Sequence, residues 1–368
     1  MRALLYGSVA LLVYAQAGYG LLLAALRRVL GPRPVAAAPI EPEVTLVVAA
    51  HDEETVIADK VANALALDWP RERLEVVVAS DGSTDATVAL AREAGADAVL
   101  DLPRGGKIRA QDAAVRGARG AVVAFSDANA LWEPDALRRL VAAFADPEVG
   151  YACGQVAFVN EAGTNQEGLY WRYEMWLRGM ESDLASVTGG NGAIYAVRRE
   201  AYIEVDPIMG HDLSFPFNLV KRGWRAVYVP EARATEKMVP SIEGEFARKR
   251  RMMSHGWPIV LRGGLLDPRG YPPRYALMIA SHRALRYATP FLHLAALGAT
   301  LARWRRHKLL LAAQLGLLAA AAAGGRLRAR PLLVARYYVL TTASLAAGLA
   351  DWLRHGTEAG WDPPEGTR

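Results

Sequence analysis

The sequence of 368 residues predicts an α/β fold, with an open, mostly parallel β-sheet, helices on both faces and membrane helices at both ends. Short buried strands alternate with helices in the first half of the chain, which is typical of a parallel sheet. An uncharged segment lies near the N-terminus, and three more apolar segments follow residue 286. Hydrophobic residues make up 52% of the chain and charged residues 22%. This balance excludes a wholly disordered protein.

The N-terminal apolar segment, residues 3–25, is long enough to cross a membrane. As a helix it spans about 34 Å, and the hydrocarbon core of a bilayer is about 30 Å thick. Arg27, Arg28 and Arg33 follow it directly, so the positive-inside rule places the next domain in the cytoplasm. A cleaved signal peptide ending near 36–38 is the alternative, but the apolar run is longer than a normal signal core.

The C-terminal part contains three predicted spans separated by the basic clusters 303–308 and 326–330. The spans are 287–303, 309–325 and 331–350. Three crossings would place one basic cluster outside, so the sidedness of the C-terminus stays open. The preceding helix 273–286 has a basic face, which suits either an interfacial helix or a partly buried membrane helix.

These features divide the chain into five predicted regions. They are an N-terminal membrane helix (1–28), a cytoplasmic α/β domain (40–240), interfacial helices (241–286), C-terminal membrane helices (287–352) and a tail (353–368). The net charge is +5. Because the basic residues flank the apolar segments, they favour contact with membrane lipids, and no nucleic acid partner is expected. A single cysteine, Cys153, excludes an intramolecular disulfide.

The α/β domain begins with strand 44–50, whose unbroken β-branched run predicts burial on both faces. Helix 53–67 follows, with apolar residues at helical spacing and acidic residues in its first turn. The later elements are strand 74–79, helix 84–95, strand 97–100, helix 107–118 and strand 121–125. In such sheets ligands bind beyond the carboxyl ends of the strands. The residues that follow each strand are therefore the candidates for function.

Acidic residues follow three of these strands. Asp52, Asp81 and Asp127 come directly after the strands at 44–50, 74–79 and 121–125. Helix capping needs one such residue per helix and leaves Asp81 and Asp127 unexplained. Crowded carboxylates repel each other unless a cation joins them. Asp127, together with the carbonyl of Asn129, therefore predicts a Mg²⁺ or Mn²⁺ site made of oxygen ligands.

The segment 104–112 supplies positive charge for a diphosphate. Gly105 and Gly106 permit close approach of the backbone to a ligand. Lys107 begins the next helix, where free N–H groups attract anions. The segment lacks the Walker spacing, and no G-x-G-x-x-G follows the first strand. A diphosphate bridged by a metal therefore fits better than a nicotinamide dinucleotide.

Several short motifs occur in one order between residue 44 and about residue 260. They are Ser80–Asp85, Gly105-Gly106-Lys107, Asp127-Ala128-Asn129, Thr188–Ala193, Gly210-His211-Asp212 and Arg248–Arg251. This order and spacing resemble the membrane-integrated family 2 glycosyltransferases of bacterial polysaccharide and glycolipid synthesis, whose fold is called GT-A. The stretch 281–291 and the tail motif beginning at Trp361 are also similar to this group.

The resemblance implies an inverting transferase in the inner membrane, with several membrane passes and a cytoplasmic catalytic domain. It implies a nucleotide-sugar donor, expected to be a UDP-sugar, and a membrane-proximal glycan or lipid-linked acceptor. The implied site residues are Asp212 as catalytic base, Asp127 and Asn129 on Mg²⁺ or Mn²⁺, and Asp52, Asp81, Lys107, Gly189, Gly190, Arg248 and Arg251 on the substrates.

Three positions depart from the family's pattern. Asn129 replaces the second aspartate of the metal motif, His211 stands where an acid is usual, and Met252 replaces a tryptophan. The first change motivates an alternative, a catalytically inactive membrane-bound sensor of nucleotide-sugars or an assembly partner. The retained Asp212 argues against it, since a sensor needs no base. Four aromatic residues suit either sugar stacking or packing: Tyr170, Trp171, Tyr173 and Trp176.

Overall fold

The computed structural model describes residues 2–159, 168–237, 242–327 and 329–360. Its strands are β1 (Val44–Ala50), β2 (Leu74–Asp81), β3 (Ala98–Leu102), β4 (Val122–Asp127), β5 (Leu131–Trp132), β6 (Val149–Val159), β7 (Tyr195–Arg198) and β8 (Arg225–Lys237). These eight strands of the described residues form one sheet, in the order β3-β2-β1-β4-β7-β6-β8-β5. The tail motif at Trp361 lies outside the described residues.

The first four strands form the predicted parallel half of the sheet. Strand β1 lies between β2 and β4, and β3 pairs with β2, all in parallel. The second half is mixed, because β7 runs antiparallel to both β4 and β6 while β8 runs parallel to β6. The parallel half therefore brings the carboxyl ends of β1, β2 and β4 to one edge.

The helices include the three predicted between the first four strands. They are α1 (Arg2–Leu30), α2 (Ile57–Leu65), α3 (Thr87–Glu93), α4 (Lys107–Gly117), α5 (Ala136–Ala142), α6 (Gly168–Leu184), α7 (His211–Lys221), α8 (Ile242–Leu261), α9 (273–301, with a π-helical turn at Ile279–Ala284), α10 (Lys308–Ala323) and α11 (Arg330–His355). Helix α2 begins later than predicted. The backbone of Glu53 and Glu54 instead binds the side chains of Thr87 and Asp85, before the helix starts.

The core of the α/β domain lies on both faces of the central strands. Every residue of β1 is buried, and neighbouring residues of a strand point to opposite faces. Val47 and Val123 belong to one apolar cluster, while Leu46 and Ala124 belong to the other. Two buried faces explain the unbroken apolar runs of these strands.

Two helices in the described part of the chain, α1 and α11, are long and apolar enough to cross a membrane. They indicate membrane association. Helix α10 is 16 residues long, or about 24 Å, which is short for a hydrocarbon core of about 30 Å. The predicted span 287–303 is the second half of α9, which also contains the predicted interfacial helix 273–286. Leu5 of α1 packs on Ala296 and Ala299 of α9.

Candidate active site

Asp52 occupies a constrained turn beside the end of β2. Its backbone φ is 49°, a value that non-glycine residues rarely adopt. Its Oδ1 accepts a hydrogen bond from the Thr84 amide at 2.7 Å, and its Oδ2 lies 3.3 Å from His51 Nε2. His51 Nδ1 in turn lies 2.9 Å from the carbonyl oxygen of Asp81. The structure therefore places Asp52 next to Asp81, with the Asp52 side chain 34% exposed.

Asp81 holds the glycine loop. Its carboxylate accepts hydrogen bonds from the amides of Gly105 and Gly106 at 2.6 and 2.9 Å. The residue is 2% exposed. Gly106 has φ 97°, which favours glycine. In this structure Asp81 thus fixes the loop that leads into Lys107, and its predicted contact with a nucleoside stays a prediction.

The segment after α11 packs on the same loop. The Thr357 hydroxyl donates to the carbonyl of Ser254 at 2.8 Å. A Cβ placed on Gly106 would overlap the carbonyl oxygen of Ala359, and one on Gly360 would lie 3.5 Å from the Arg104 guanidinium. A side chain at position 106 would therefore displace this segment as well as strain the loop.

Lys107 and Asp127 form an ion pair at the end of β4. Their side chains are 22% and 23% exposed, so the pair is accessible to a ligand. Gly192 lies beside it, since a Cβ there would be 3.3 Å from Lys107 Nζ and 3.5 Å from Asp127 Oδ2. Lys107, predicted to bind the diphosphate, and Asp127, predicted to bind the metal, are thus in contact. Because residue 192 is a glycine, no side chain at that position fills the space beside them.

Two ionisable residues that the sequence did not single out lie near Asp127. Lys60 is fully buried and donates to the Ala130 carbonyl at 2.6 Å. Burial lowers the pKa of Lys60 to about 7, against the attraction of Asp127 and Glu236. Burial, and then the charge of Asp127, raises the pKa of Glu236 to about 7.

Strand pairing explains how Glu236 reaches this site. Leu131 of β5 pairs with Thr235 of β8, so Glu236 comes opposite the turn that carries Asn129. No local motif marks an isolated acid in a strand, and only the pairing of β5 with β8 brings it beside Asp127. Lys107 and Arg248 also stabilise its negative charge.

Asp212 lies in the first turn of α7 and is joined to the glycine-rich loop. Its carbonyl oxygen accepts a hydrogen bond from the Gly190 amide at 2.6 Å. The preceding residue, His211, is buried, with Nδ1 2.8 Å from the Tyr195 hydroxyl and its ring stacked 3.8 Å from that of Phe215. Burial, together with the positive charge of Lys107, holds the pKa of His211 well below its usual range. His211 is therefore a neutral packing residue behind Asp212.

Gly189 and Gly190 are glycines because neighbouring side chains occupy the space. A Cβ on Gly189 would lie 2.5 Å from Arg283 Nη2, and one on Gly190 would overlap the Tyr151 hydroxyl. Arg178 also donates to the Gly190 carbonyl at 2.9 Å. The loop is therefore held from several sides.

Arg248 of α8 is held by an acid on its own helix. It donates to both carboxylate oxygens of Glu245, at 2.7 and 2.8 Å, and Lys249 binds the same carboxylate at 2.9 Å. The nearby His255 is half-buried, and burial lowers its pKa, with Arg251 acting in the same direction and Asp212 opposing it. Arg248 thus lies near Glu236, and Arg251 and Asp212 both lie near His255.

The four aromatic residues of α6 make packing contacts, Tyr170 with Tyr337 of α11, while Trp176 is 46% exposed and sugar stacking stays a prediction. Trp171 donates its indole N–H to the Val156 carbonyl at 3.1 Å and packs edge-on against Phe158. A Cβ on Gly20 of α1 would lie 2.8 Å from the Trp176 ring and 2.9 Å from the Tyr173 hydroxyl. The aromatic residues join α6 to its own domain and to the N-terminal helix.

A family model described as "Glycosyltransferase like family 2" matches residues 42–259, which is more than half of the chain. The chain belongs to this glycosyltransferase family. The match confirms the predicted family, and with it the enzyme class and the GT-A-like α/β fold. It covers every site residue predicted from the sequence.

Three curated relatives of this family 2 protein come from bacteria. A β-monoglucosyldiacylglycerol synthase of Synechocystis is 33% identical over 42% of this chain and 33% of its own. An N-acetylglucosaminyltransferase of Mesorhizobium japonicum is 29% identical over 57% of this chain and 54% of its own. A poly-β-1,6-N-acetyl-D-glucosamine synthase of Staphylococcus aureus is 24% identical over 60% and 56%. The chain thus matches between a third and just over half of their lengths.

One solved structure is similar over almost the whole family 2 chain. It is a mannosyltransferase from Pyrobaculum calidifontis in complex with GDP-Man and Mn²⁺, 26% identical, with a TM-score of 0.72. The similarity covers 95% of this chain and 99% of that one. The helices at both ends of the chain are therefore part of the shared architecture.

Proposed function

We propose that this chain is an inverting glycosyltransferase that moves a sugar from a nucleoside diphosphate sugar, a UDP-sugar, to a membrane-proximal glycan or lipid-linked acceptor. One observation carries the proposal. The loop 188–192 lies beside the Lys107–Asp127 pair at Gly192 and donates a hydrogen bond from Gly190 to the backbone of Asp212. One short loop thus lies next to both the residues proposed to bind the diphosphate and the metal and the residue proposed as the base.

The residues at the end of β4 fit a divalent cation. Asp127 and Asn129 offer oxygen ligands, which Mg²⁺ and Mn²⁺ prefer. Within the described ranges no cluster of three His, Cys, Asp or Glu residues surrounds a common point. Such a sparse set suits an ion that takes its remaining ligands from a diphosphate. When bound, the ion would stabilise the negative charge of the leaving diphosphate.

The protein's own residues perform the remaining steps. Lys107, Arg248 and Arg251 bind the diphosphate and stabilise the charge that develops on it. Asp212 takes the proton from the acceptor hydroxyl as its oxygen attacks the anomeric carbon. The attack comes from the face opposite the diphosphate, so the product is inverted in one step and no covalent sugar–enzyme intermediate forms.

The membrane arrangement follows from the helices and the charges. Helix α1 ends beside Arg27 and Arg28, and Arg27 pairs with Asp183 of α6 at 2.6 Å. Basic residues next to a span favour the cytoplasmic side. We therefore place the catalytic domain on the cytoplasmic face of the inner membrane, in a protein with several passes, where the site meets lipid-linked acceptors.

A second donor class has support of its own. The mannosyltransferase that is similar over 95% of this chain was solved with GDP-Man. We therefore propose GDP-mannose as the alternative donor to a UDP-sugar.

The first test is a donor screen on the purified full-length chain in detergent or nanodiscs with Mn²⁺. It compares UDP-, GDP- and dTDP-sugars by release of nucleoside diphosphate and by product mass. Release from one donor class supports the proposal and names the nucleotide. Metal-dependent nucleotide binding with no release for any donor, with lipid-linked acceptors present, would favour the inactive sensor. Absence of any nucleotide binding would overturn the assignment.

Replacing Glu236 by glutamine is expected to weaken Mn²⁺ binding about 3- to 30-fold. The change removes an ionisable carboxylate near Asp127 and keeps the shape of the side chain, and neighbours of a metal ligand tune affinity by about 10- to 100-fold. Isothermal titration with Mn²⁺ in the presence of nucleoside diphosphate measures the effect. Glu231→Gln, an exposed change on the same strand, is the control. Equal affinity in both variants would exclude a role for Glu236.

A further inference from the structure

A buried carboxylate, Glu181 of α6, joins three distant parts of the chain. It is completely buried. Its Oε1 accepts a hydrogen bond from the Tyr19 hydroxyl of α1 at 2.6 Å and lies 2.7 Å from His282 Nδ1 of α9. Its Oε2 accepts hydrogen bonds from the amide and hydroxyl of Thr188, at 3.1 and 2.9 Å. Glu181 thus binds the N-terminal membrane helix, the C-terminal helices and the site loop together.

A second contact secures the loop from the same side. Arg283 donates from Nε to the hydroxyl and carbonyl oxygens of Thr188, at 2.9 and 3.2 Å. Its guanidinium lies against Gly189, where there is no room for a Cβ. Next to it on α9, His282 Nε2 lies 3.4 Å from Glu174 Oε2. Thr188 is therefore fixed by Glu181 on one side and by Arg283 on the other.

The chain of contacts continues to Asp212. Two residues after Thr188, the Gly190 amide donates to the carbonyl oxygen of Asp212 at 2.6 Å. From Tyr19 in the membrane helix to Asp212, the path passes only through Glu181 and the three-residue segment 188–190. A shift of α1 would therefore displace residues at the start of α7.

A fully buried carboxylate is costly unless every partner is present. Such a group therefore selects the one arrangement that satisfies it. The arrangement that satisfies Glu181 therefore fixes the loop 188–190, which lies next to the proposed site.

We propose that Glu181 is a positioning residue that couples the seating of the N-terminal membrane helix, through Tyr19, to the Thr188–Gly190 loop and thereby to Asp212. The inference about Asp212 rests on the proposed function. Helix α1 is then part of the catalytic apparatus in addition to being an anchor.

The test compares two single-atom changes on one helix. Tyr19→Phe removes the hydroxyl that binds Glu181. Tyr14→Phe is the matched control, because the Tyr14 hydroxyl lies on the same helix and bonds to Ser281 Oγ at 2.8 Å. Amide hydrogen exchange of the full-length chain in nanodiscs reports on Thr188 and Gly190 without any substrate. We expect Tyr19→Phe to speed exchange of these two amides about 5- to 10-fold, and Tyr14→Phe to change it less than twofold.

Kinetics with the donor found in the screen provide the second readout. Tyr19→Phe is expected to lower kcat about 3- to 10-fold with the donor KM within twofold, because a small misplacement of a catalytic group costs rate rather than donor binding. Thr188→Ser, which keeps the hydroxyl, is expected to retain near wild-type kcat. Thr188→Val, which removes the hydroxyl, is expected to lower kcat.

Three results would overturn the coupling. They are unchanged exchange at Thr188 in Tyr19→Phe, equal effects of the two tyrosine changes, and a loss of kcat that only parallels a lower melting temperature. If the wild-type chain shows no transfer while the exchange pattern holds, the proposed function fails and the coupling of α1 to the loop stands. Glu181→Gln gives an independent check, since it should speed the same two amides.

Discussion

Replacing Asp212 by asparagine is expected to lower kcat for sugar transfer about 10²- to 10⁴-fold, or roughly 3–5 kcal/mol of barrier, since the amide cannot accept the acceptor proton. Donor KM and Mn²⁺ affinity should stay within about threefold, because Asp212 binds the loop through its backbone carbonyl, which the change leaves in place. Initial rates of nucleoside diphosphate release with and without acceptor measure the effect.

The control for this change is Asp135→Asn, an accessible position whose carboxylate pairs with Arg139 at 3.1 Å. It should leave kcat unchanged. Retention of more than a third of wild-type kcat in Asp212→Asn would show that another group is the base. A trapped sugar–enzyme adduct in either protein would contradict one-step inversion.

Replacing Asp127 by asparagine is expected to reduce Mn²⁺ affinity about 10- to 100-fold and kcat/KM by at least about 10²-fold. The change removes the carboxylate at the end of β4 and with it the ion pair to Lys107. Calorimetric titration with Mn²⁺ and nucleoside diphosphate separates the loss of metal from the loss of donor.

Asn129→Asp is the matched variant, because it adds a carboxylate at the neighbouring predicted metal ligand. Asn129→Asp restores the second carboxylate of the family's motif and is expected to tighten Mn²⁺ binding, because it adds a negative charge to an oxygen site. Weaker binding in Asn129→Asp, together with unchanged binding in Asp127→Asn, would place the metal elsewhere.

Local patterns were sufficient for the parallel half of the sheet. Apolar strands and helical spacing predicted every element from β1 to β4 to within a few residues. The start of α2 was wrong, because Asp85 and Thr87 from the next loop bind the backbone of Glu53 and Glu54. Backbone contacts with side chains 34 and 31 residues away leave no trace in periodicity. The mixed second half of the sheet was likewise beyond local pattern, because strand direction there depends on long-range pairing.

Motifs predicted residues at the site but not all of their partners. Lys107 and Asp127 are neighbours, as their places after the strands suggested. Asp81 was expected at the nucleoside, and in the structure it binds the backbone of the glycine loop. Glu236 was missed, because an isolated acid in a strand carries no signal until β8 is paired with β5.

The sequence by itself therefore determined the family, the parallel half of the sheet and the residues at the strand ends, because these depend on local periodicity and short motifs. Only the tertiary structure decided the contacts of Glu181. Its partners Tyr19 and His282 lie 162 and 101 residues away along the chain. A buried polar group is stable only beside the partners that folding brings to it, and no local pattern records which partners those are.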